Sequence, residues 1–351
     1  MKIAVVGAGA IGLVHMKVIQ AHSECELSAV VDPTEAAEKL SQSLNVPYFQ
    51  SLDNLLSHSP PDGIILATPN ALHVSQALQC LDAGVAVLVE KPIAHTVLDA
   101  LRLVNATDST KYHVPAKVLI GHHRAHSPIM AKAKKVIAEG RLGRLVSVMG
   151  SALFCKPDDY FTVAPWRTVH GGGPILINLI HEIHNLRMLC GDIVEVQAMS
   201  SNAVRGFEVE DTAAINFRFA SGVLGTFLLS DTSASARSWE QTSQENKDYS
   251  TYDDEDCYVI AGTLGSLSIP TMRLKSYTRV EDRSWFKPFH TDTLELQRAD
   301  PLMLQLQHFL GVIQGEISPL VSARDGLQNL QVVEAIASAI KTQQAVKLVA
   351  D

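Results

Sequence analysis

Apolar positions in the first third of the chain follow two alternating patterns. Short apolar runs bounded by turn residues, typical of buried strands, occur at 2–6, 27–31, 62–67, 85–89 and 117–121. Segments with helical periodicity lie between them, such as 71–83 and 96–104, and Thr96 is a suitable N-cap for the latter. Strands that alternate with helices indicate a parallel sheet with right-handed crossovers. We therefore expect a first α/β domain over residues 1–122.

The pattern changes after Gly121. The predicted strands now alternate apolar with polar or small residues, at 145–150, 193–200, 212–219, 223–229, 258–261 and 266–269. Helical patterns cover 128–139, 174–189 and 323–341, whereas 233–256 is polar and aperiodic and predicts a long loop. Such alternation favours an open, mainly antiparallel or mixed sheet with helices on one face. We expect a second α/β domain over 123–351, with 323–341 as the helix that packs back on the first domain.

The first predicted strand runs into Gly7-Ala8-Gly9-Ala10-Ile11-Gly12 and then into a helix. Gly7 permits the tight turn, Gly9 lets the backbone approach a pyrophosphate, and Gly12 lets the helix pack on the strand. The first helical residues, Ala10 and Ile11, would offer free N–H groups to the phosphates. This segment predicts a dinucleotide site.

Asp32 ends the second predicted strand, about 20 residues after the last glycine, where an acid binds the adenosine ribose. Its carboxylate would repel a 2′-phosphate, and Pro33, Thr34 and Glu35 supply no compensating arginine. The sequence therefore predicts NAD in preference to NADP. A second role for Asp32, as N-cap of a helix that starts near Thr34, is compatible with the first.

Polar residues follow the next two strands. Thr68 and Asn70 come after 62–67, with His73 close behind, and Glu90 and Lys91 come after 85–89. Because ligands bind at the carboxyl ends of parallel strands, we expect these residues at the cofactor site. Lys91 is the candidate to exchange a proton beside the nicotinamide. Asn70 and His73 are expected to position the cofactor or the helix.

Composition limits the alternatives. The chain has 351 residues, 46% hydrophobic and 19% charged, and a net charge of −8, which argues against a nucleic-acid partner. No apolar run approaches the ~20 residues of a membrane span, and the first residues lack a signal-peptide cleavage pattern. Five scattered cysteines are typical of reduced thiols, so we expect a cytoplasmic protein. His181-Glu182-Ile183-His184 lacks the HExxH spacing, so no metal is expected.

Several motifs together resemble the glucose–fructose oxidoreductase/inositol 2-dehydrogenase (Gfo/Idh/MocA) family over essentially the whole chain. They are the glycine turn, Ala67-Thr68-Pro69-Asn70 with His73, Glu90-Lys91-Pro92, and Gly171-Gly172-Gly173 leading to His181. The resemblance implies a Rossmann domain followed by an α/β domain whose open sheet carries the substrate site and a homo-oligomer interface. It also implies NAD(P)-dependent oxidation of a sugar, polyol or related hydroxyl compound.

The family's catalytic set is the lysine of Glu-Lys-Pro with an aspartate and a histidine four residues apart on one helix. Lys91 and His181 match, but Ile177 stands where the aspartate is expected. The neighbouring Asn178 is three residues before His181, close enough on a helix to contact substrate or orient His181, although it cannot accept a proton. Our hypothesis is that His181 is the base and Lys91 polarises the substrate oxygen; the reverse division stays open.

Two further clusters are candidate substrate contacts. His123 and Arg124 follow the strand at 117–121, with the alternative of a plain polar loop. Trp166 and Arg167 precede the glycine run, where Arg167 could bind a carboxylate or hydroxyl and Trp166 could instead belong to the core.

Three functions fit these motifs. The leading one is an NAD-dependent dehydrogenase of a cyclic polyol, sugar or sugar acid. The alternatives are a redox-neutral NAD-dependent glycosidase or lyase and a non-catalytic NAD-binding sensor. Net formation of NADH separates the first from the other two.

Overall fold

The computed structural model describes residues 1–109 and 117–348, and this part of the chain divides into two compact units. The first comprises Met1–His126 and Pro301–Leu330, and the second comprises Ser127–Asp300 and the chain from Gln331 onward. Residues 301–330 thus group with the first unit, whereas the sequence pattern assigned everything after residue 122 to the second domain.

The first unit contains a parallel sheet of six strands within the described residues, in the order β3-β2-β1-β4-β5-β6. Its strands are β1 (Lys2–Val6), β2 (Glu26–Val31), β3 (Tyr48–Phe49), β4 (Gly63–Leu66), β5 (Ala86–Glu90) and β6 (Val118–Gly121). Its helices in this region are α1 (Ala10–Ala21), α2 (Glu35–Leu44), α3 (Leu52–His58), α4 (Asn70–Asp82) and α5 (Val97–Thr107). The order reverses between β1 and β4, which is the switch point where dinucleotides bind in such sheets.

The central strands are buried along almost their whole length. Ile3–Val6, Ile64–Leu66 and Val87–Val89 are each at most 2% exposed. Burial on both faces explains why these strands are continuous apolar runs and do not alternate. Local capping agrees with the prediction for α5, because the Thr96 side chain accepts a hydrogen bond from the Asp99 N–H.

The second unit contains a mixed sheet of nine strands within the described residues, in the order β14-β13-β12-β11-β7-β10-β9-β8-β15. Its helices are α6 (Pro128–Ala138), α7 (Asp159–Thr162), α8 (Ile180–Cys190) and α9 (Trp239–Ser243). Its strands are β7 (Leu145–Leu153), β8 (Ile193–Ser201), β9 (Thr212–Phe219), β10 (Leu224–Ser230), β11 (Tyr258–Gly262), β12 (Gly265–Ile269), β13 (Arg273–Ser276), β14 (His290–Thr293) and β15 (Val346–Lys347). β7 and β10 pair in parallel, and the other neighbours pair antiparallel.

One face of this sheet is buried and the other is exposed. On β9 the side chains of Ala213, Ile215, Phe217 and Phe219 are buried, while the residues between them are exposed. The buried side chains share one core with α6 and α8. This arrangement confirms the predicted α/β fold with an open, mainly antiparallel sheet.

Two late helices complete the fold, α10 (Pro301–Gln314) and α11 (Ala323–Thr342). The sequence pattern missed α10, which packs in the first unit against α1 and places Phe309 and Ile313 where a Cβ on Gly63 would lie. The N-terminal part of α11 also belongs to the first unit, since Gly326 lies against Ile93 and Ile120.

Two local predictions differ from the structure. The helix predicted over 174–189 begins with a π-helical turn, Ile175–Leu179, before the regular α8. The loop predicted over 233–256 contains α9, and Trp239 on it is only 3% exposed, because its indole packs on Tyr258 in the core. Among the described residues, no helix is long and apolar enough to cross a membrane.

Candidate active site

The glycine turn between β1 and α1 has no room for a side chain at Gly7 or Gly12, whereas the space beside Gly9 is open. A Cβ on Gly7 would lie 2.5 Å from the Ala67 carbonyl oxygen, and one on Gly12 would lie 2.0 Å from the Gly7 carbonyl oxygen. Gly7 also has φ +99°, which favours glycine. A Cβ on Gly9 would meet no described atom within 4 Å. The space beside Gly9, at the N-terminus of α1, therefore fits the close approach of a diphosphate.

No side chain caps the start of α1, whose N-cap is Gly9. The first N–H groups of a helix have no partner within the helix, so those of Ala10 and Ile11 can donate to an anion. The residues present thus fit the diphosphate of a dinucleotide.

Asp32 connects this turn to the end of β2. One carboxylate oxygen accepts a hydrogen bond from the Ala8 N–H at 2.9 Å, and the other accepts from the Thr34 N–H at 3.0 Å and hydroxyl at 2.6 Å. Burial alone would raise the pKa of Asp32, but these hydrogen bonds outweigh it and the pKa is lowered. The N-cap of α2 is Thr34, whose side chain accepts from the Ala37 N–H, so the alternative role of Asp32 as that cap was wrong.

Lys91 follows β5, and the carboxylate of the preceding residue, Glu90, is directed into the first unit. Glu90 is buried, with one oxygen 2.8 Å from His15 Nε2 and the other accepting from the Lys91 N–H at 3.2 Å. Burial would raise the pKa of Glu90, but His15, Lys91 and His123 lower it below its ordinary value. Glu90 was predicted to contact the cofactor; its carboxylate points instead into the unit, where it holds the strand end that presents Lys91.

His73 links the ends of β4 and β5. Its Nδ1 lies 2.8 Å from the Pro92 carbonyl oxygen and its Nε2 lies 2.8 Å from the Thr68 carbonyl oxygen. The ring is buried, and burial lowers its pKa. His73 therefore holds the segment around Lys91 in place, and Asn70 begins α4 close by. The predicted role of both residues in positioning the cofactor stays a prediction. The Lys91–Pro92 peptide bond is cis.

His123 and Arg124 lie in a short 3₁₀ helix, His123–His126, directly after β6. Arg124 is buried, so this segment is not the plain polar loop of the alternative. Burial and the positive charges of Arg124 and Lys91 lower the pKa of His123 to about 3. His123 is therefore a neutral imidazole at physiological pH, next to the Lys91 strand end.

In the second unit the predicted catalytic helix begins with the π-helical turn. Asn178 lies in this turn and is partly exposed, and His181 lies in the first turn of α8 with 6% of its surface exposed. π-turns within helices occur frequently at functional sites. The turn lies where this sequence departs from the family's aspartate.

The sheet edge beside Asn178 carries charged residues that the sequence did not single out. Because β7 and β10 are parallel, their carboxyl ends meet at one edge, which brings Lys156 and Asp231 together. Lys156 Nζ lies 2.7 Å from Asn178 Oδ1 and 3.5 Å from an Asp231 oxygen. Arg205, after β8, pairs with Asp231 at 2.9 Å. We call Lys156, Arg205 and Asp231 the edge cluster.

Lys156 is buried, and two aromatic rings flank its ammonium group. Its Nζ lies 4.8 Å from the centre of the Tyr160 ring and 5.6 Å from that of Phe154. Burial lowers the pKa of Lys156 to about 8; Asp231 opposes this shift, and Arg167 and Arg205 add to it. Lys156 can therefore change its charge near physiological pH.

Trp166 and Arg167 lie in the 3₁₀ helix Pro165–Thr168. Trp166 is 55% exposed, so it is not a core residue. Arg167 stacks on Tyr160, with 3.7 Å between the guanidinium carbon and the ring centre, and donates to the Tyr160 carbonyl oxygen. An open cavity of about 600 Å³ next to this segment is lined by Phe161, Pro165, Phe207, Thr162 and Arg205, among others.

The glycine run serves the helix entry. A Cβ on Gly172 would lie 2.7 Å from the Arg167 backbone, and one on Gly173 would lie 2.7 Å from the Glu210 carboxylate, which accepts a hydrogen bond from the Ile175 N–H. The close neighbours of Gly172 and Gly173 are thus other residues of the same chain. Burial raises the pKa of Glu210. Within residues 1–109 and 117–348, no three histidine, cysteine or acidic side chains are grouped as a metal site.

Comparison with known proteins identifies the family. Residues 1–116 match the family model described as "Oxidoreductase family, NAD-binding Rossmann fold", and residues 130–268 match the C-terminal domain model of the same family. The chain belongs to the Gfo/Idh/MocA family of oxidoreductases. The predicted resemblance is thereby confirmed, as are an NAD-binding Rossmann domain and an NAD(P)-dependent oxidoreductase.

Individual relatives of this Gfo/Idh/MocA protein are distant but extensive. The 1,5-anhydro-D-fructose reductase of Ensifer adhaerens is 28% identical over 85% of this chain and 83% of its own. The inositol 2-dehydrogenase of Rhizobium meliloti is 23% identical over 99% of each. The WlbA dehydrogenase of Chromobacterium violaceum, solved with NADH and UDP-GlcNAcA, superimposes with a TM-score of 0.77 at 25% identity, over 100% of this chain and 96% of that one.

Proposed function

We propose that this Gfo/Idh/MocA protein is an NAD-dependent dehydrogenase that transfers hydride between the nicotinamide and a hydroxyl or carbonyl group of a cyclic polyol, sugar or sugar acid. The observation that carries the proposal is the position of Lys91. It follows β5, at the same sheet edge as the glycine turn and Asp32, and the buried Glu90–His15 pair and His73 hold the chain on either side. The names of these relatives, a reductase of an anhydro sugar and a polyol dehydrogenase, support this substrate class.

When bound, NAD accepts the hydride from the substrate carbon. The hydroxyl on that carbon must then lose its proton, which a base with a pKa near the working pH takes best. We assign this role to His181, because histidine is the side chain that most often serves as a general base, and we assign polarisation of the substrate oxygen to Lys91. The reverse division is the alternative.

Other predicted contacts complete the proposal. Asn178 hydrogen-bonds the substrate without accepting its proton, and neutral His123, exposed Trp166 and Arg167 contact the substrate. The buried Arg124 is better assigned to keeping His123 neutral than to a direct contact. Asp32, Ala10, Ile11, Thr68 and Asn70 are assigned to the cofactor.

The test is a screen for NAD⁺ reduction over inositols, aldoses, aldonates and small hydroxy acids, followed by NADH absorbance. On the best substrate, Lys91→Ala and His181→Ala should each lower kcat by about 100-fold or more, the usual effect of losing an acid–base group. Matched controls are Lys39→Ala and His290→Ala, which change exposed residues of the same types. Turnover that survives both active-site changes would refute the assignment.

The same screen decides the alternatives. A glycoside consumed without net NADH would indicate the redox-neutral glycosidase or lyase. Tight NAD⁺ binding without NADH from any compound would indicate a sensor.

The homo-oligomer implied by the family resemblance is also a proposal. The exposed face of the second unit's sheet carries Met149, Leu224, Leu228 and Met199, each at least 44% exposed. Register places Leu228 opposite Ala214, and Ala214 opposite Met199, in one row across three strands. Light scattering after size exclusion should give a mass above 38.1 kDa, and Leu228→Glu should reduce it, whereas Val163→Glu at another exposed site should not.

A further inference from the structure

The contact between Lys156 and Asn178 determines which way the Asn178 amide points. Lys156 Nζ lies 2.7 Å from Asn178 Oδ1. A charged lysine ammonium donates hydrogen bonds and accepts none, so it requires the amide oxygen and excludes the amide nitrogen. The Nδ2 group, with its two donors, is therefore directed away from Lys156.

The backbone of Lys156 is fixed on both sides, so this contact has little freedom. Its N–H donates to the Asp231 carbonyl oxygen at 2.8 Å, and its carbonyl oxygen accepts from Arg205 at 2.9 Å. The side chain is 10% exposed and packs on Tyr160. A lysine held in this way positions its neighbour more firmly than a surface lysine with a flexible stem.

Asn178 itself is only partly buried and lies three residues before His181. Residues three apart on a helix are neighbours, so a substrate oxygen bound near His181 is within reach of Asn178. An aspartate at this part of the helix would offer only acceptors, whereas Asn178 held by Lys156 offers donors.

We propose that Lys156 is a positioning residue that presents Asn178 as a hydrogen-bond donor, so that this enzyme selects substrates with an oxygen acceptor, a carbonyl or carboxylate, beside the reacting carbon. This specificity rests on the proposed dehydrogenase function. An aldonate carboxylate carries charge and only accepts, so it forms a stronger hydrogen bond with this donor than the neutral hydroxyl of a simple polyol, which can also donate.

The orientation depends on the charge of Lys156. Burial lowers its pKa to about 8, so above this pH the amine becomes neutral, can accept a hydrogen bond, and no longer excludes the amide nitrogen. Asn178 is then free to turn its oxygen outward. The charged and titratable groups that face Lys156 come from several elements: Asp231 after β10, Arg205 and Glu210 between β8 and β9, Tyr160 on α7, and Arg167 in the following 3₁₀ helix.

The first experiment measures the orientation without catalysis. In protein labelled with [ε-¹³C]lysine, the resonance absent from Lys156→Met should titrate near pH 8, about two units below the exposed lysines. The side-chain amide resonances of Asn178, assigned by their absence from Asn178→Leu, should shift over the same range. An Asn178 amide whose resonances do not shift when Lys156 loses its proton overturns the proposal.

The second experiment measures specificity in the holoenzyme, with an aldonate and the polyol of the same carbon skeleton as paired substrates. Lys156→Met should lower kcat/KM for the aldonate by about 10- to 100-fold, the effect expected for a hydrogen bond to a charged partner, and change the polyol less. Lys156→Arg, which stays charged, should keep the aldonate preference and lose the decline in kcat/KM above about pH 8. The exposed Lys134→Met is the matched control and should behave as wild type.

The outcomes separate the two proposals. A Lys156→Met enzyme with the wild-type substrate ratio and pH profile overturns the role of Lys156 while the dehydrogenase function stands. A wild-type protein that reduces no NAD⁺ overturns the dehydrogenase function and the substrate selection with it, and the resonance measurements then decide the orientation of Asn178 independently.

Discussion

The buried pair of His15 and Glu90 should be the main support of the Lys91 strand end. His15, on α1, is 3% exposed, and Glu90, on β5, is 4% exposed, with 2.8 Å between Nε2 and the carboxylate oxygen. His15→Phe keeps a planar ring but removes the donor. One oxygen of a buried carboxylate then loses its partner.

The loss of unfolding free energy in His15→Phe depends on which partners of the Glu90 carboxylate remain. A hydrogen bond to a charged group contributes about 1.5–3 kcal/mol, and removing one member of a buried pair costs about 3–5 kcal/mol. Because the Lys91 N–H still donates to Glu90, and Lys91 and His123 still favour the carboxylate, we expect the lower end, about 3 kcal/mol of unfolding free energy.

The pH dependence has a definite sign. The pKa of folded Glu90 is lowered, so its contribution to stability is present above the ordinary value near 4.3 and is lost as the pH falls through the folded value. In His15→Phe, the histidine no longer opposes the effect of burial, so the pKa of Glu90 is higher than in the wild type. The destabilisation should therefore be largest at neutral pH and shrink in acid.

Urea unfolding followed by circular dichroism measures this, in a double-mutant cycle with Glu90→Gln. We expect a coupling free energy of about 2 kcal/mol, and a parallel fall in kcat if Lys91 is catalytic. His58→Phe, an exposed histidine of the same unit, should change stability by less than about 0.5 kcal/mol. Single-mutant effects that add within about 0.5 kcal/mol would refute the reasoning.

Three further predictions follow from the geometry. Gly12→Ala puts a Cβ 2.0 Å from a carbonyl oxygen, so NAD⁺ affinity by calorimetry should fall about tenfold or more, and unchanged affinity would contradict this. Gly173 and Gly171 both have a positive φ, +83° and +92°, but only a Cβ on Gly173 would meet a carboxylate. Gly173→Ala should therefore lower the free energy of unfolding, measured in urea, by about 1–3 kcal/mol more than Gly171→Ala. The pKa of His123 is about 3 in the folded protein, below the ordinary 6.5, so the folded state loses stability as the pH falls below 6.5. In His123→Gln, the urea concentration at the unfolding midpoint should change less between about pH 7 and pH 5 than in the wild type.

Much of the first unit could be predicted because its signals are local. A glycine turn after a strand, an acid at the end of the next strand, and a lysine at the end of a buried run are each read within a few residues. Their meeting at one edge follows from parallel pairing alone, which the alternation of strands and helices already implies. The Asp32 and Lys91 positions needed no knowledge of distant contacts.

The partners of those residues were decided by the tertiary structure. Nothing near Glu90 in the chain indicates that its carboxylate turns inward, because His15 lies 75 residues away. In the second unit, Lys156 and Asp231 meet only because β7 and β10 are neighbours, a pairing that strand patterns do not specify. Charged residues just beyond predicted strand ends were the available signal, but strand order is needed to pair them.

The sequence by itself thus determined the fold class, the cofactor and the position of Lys91 at the sheet edge, since each depends on short-range pattern and on rules that hold for any parallel sheet. The tertiary structure decided what surrounds the candidate residues: a buried acid, Glu90, beside Lys91, and a buried lysine, Lys156, beside Asn178. The physical reason is that burial and charge at a side chain depend on which distant strands and helices pack against it.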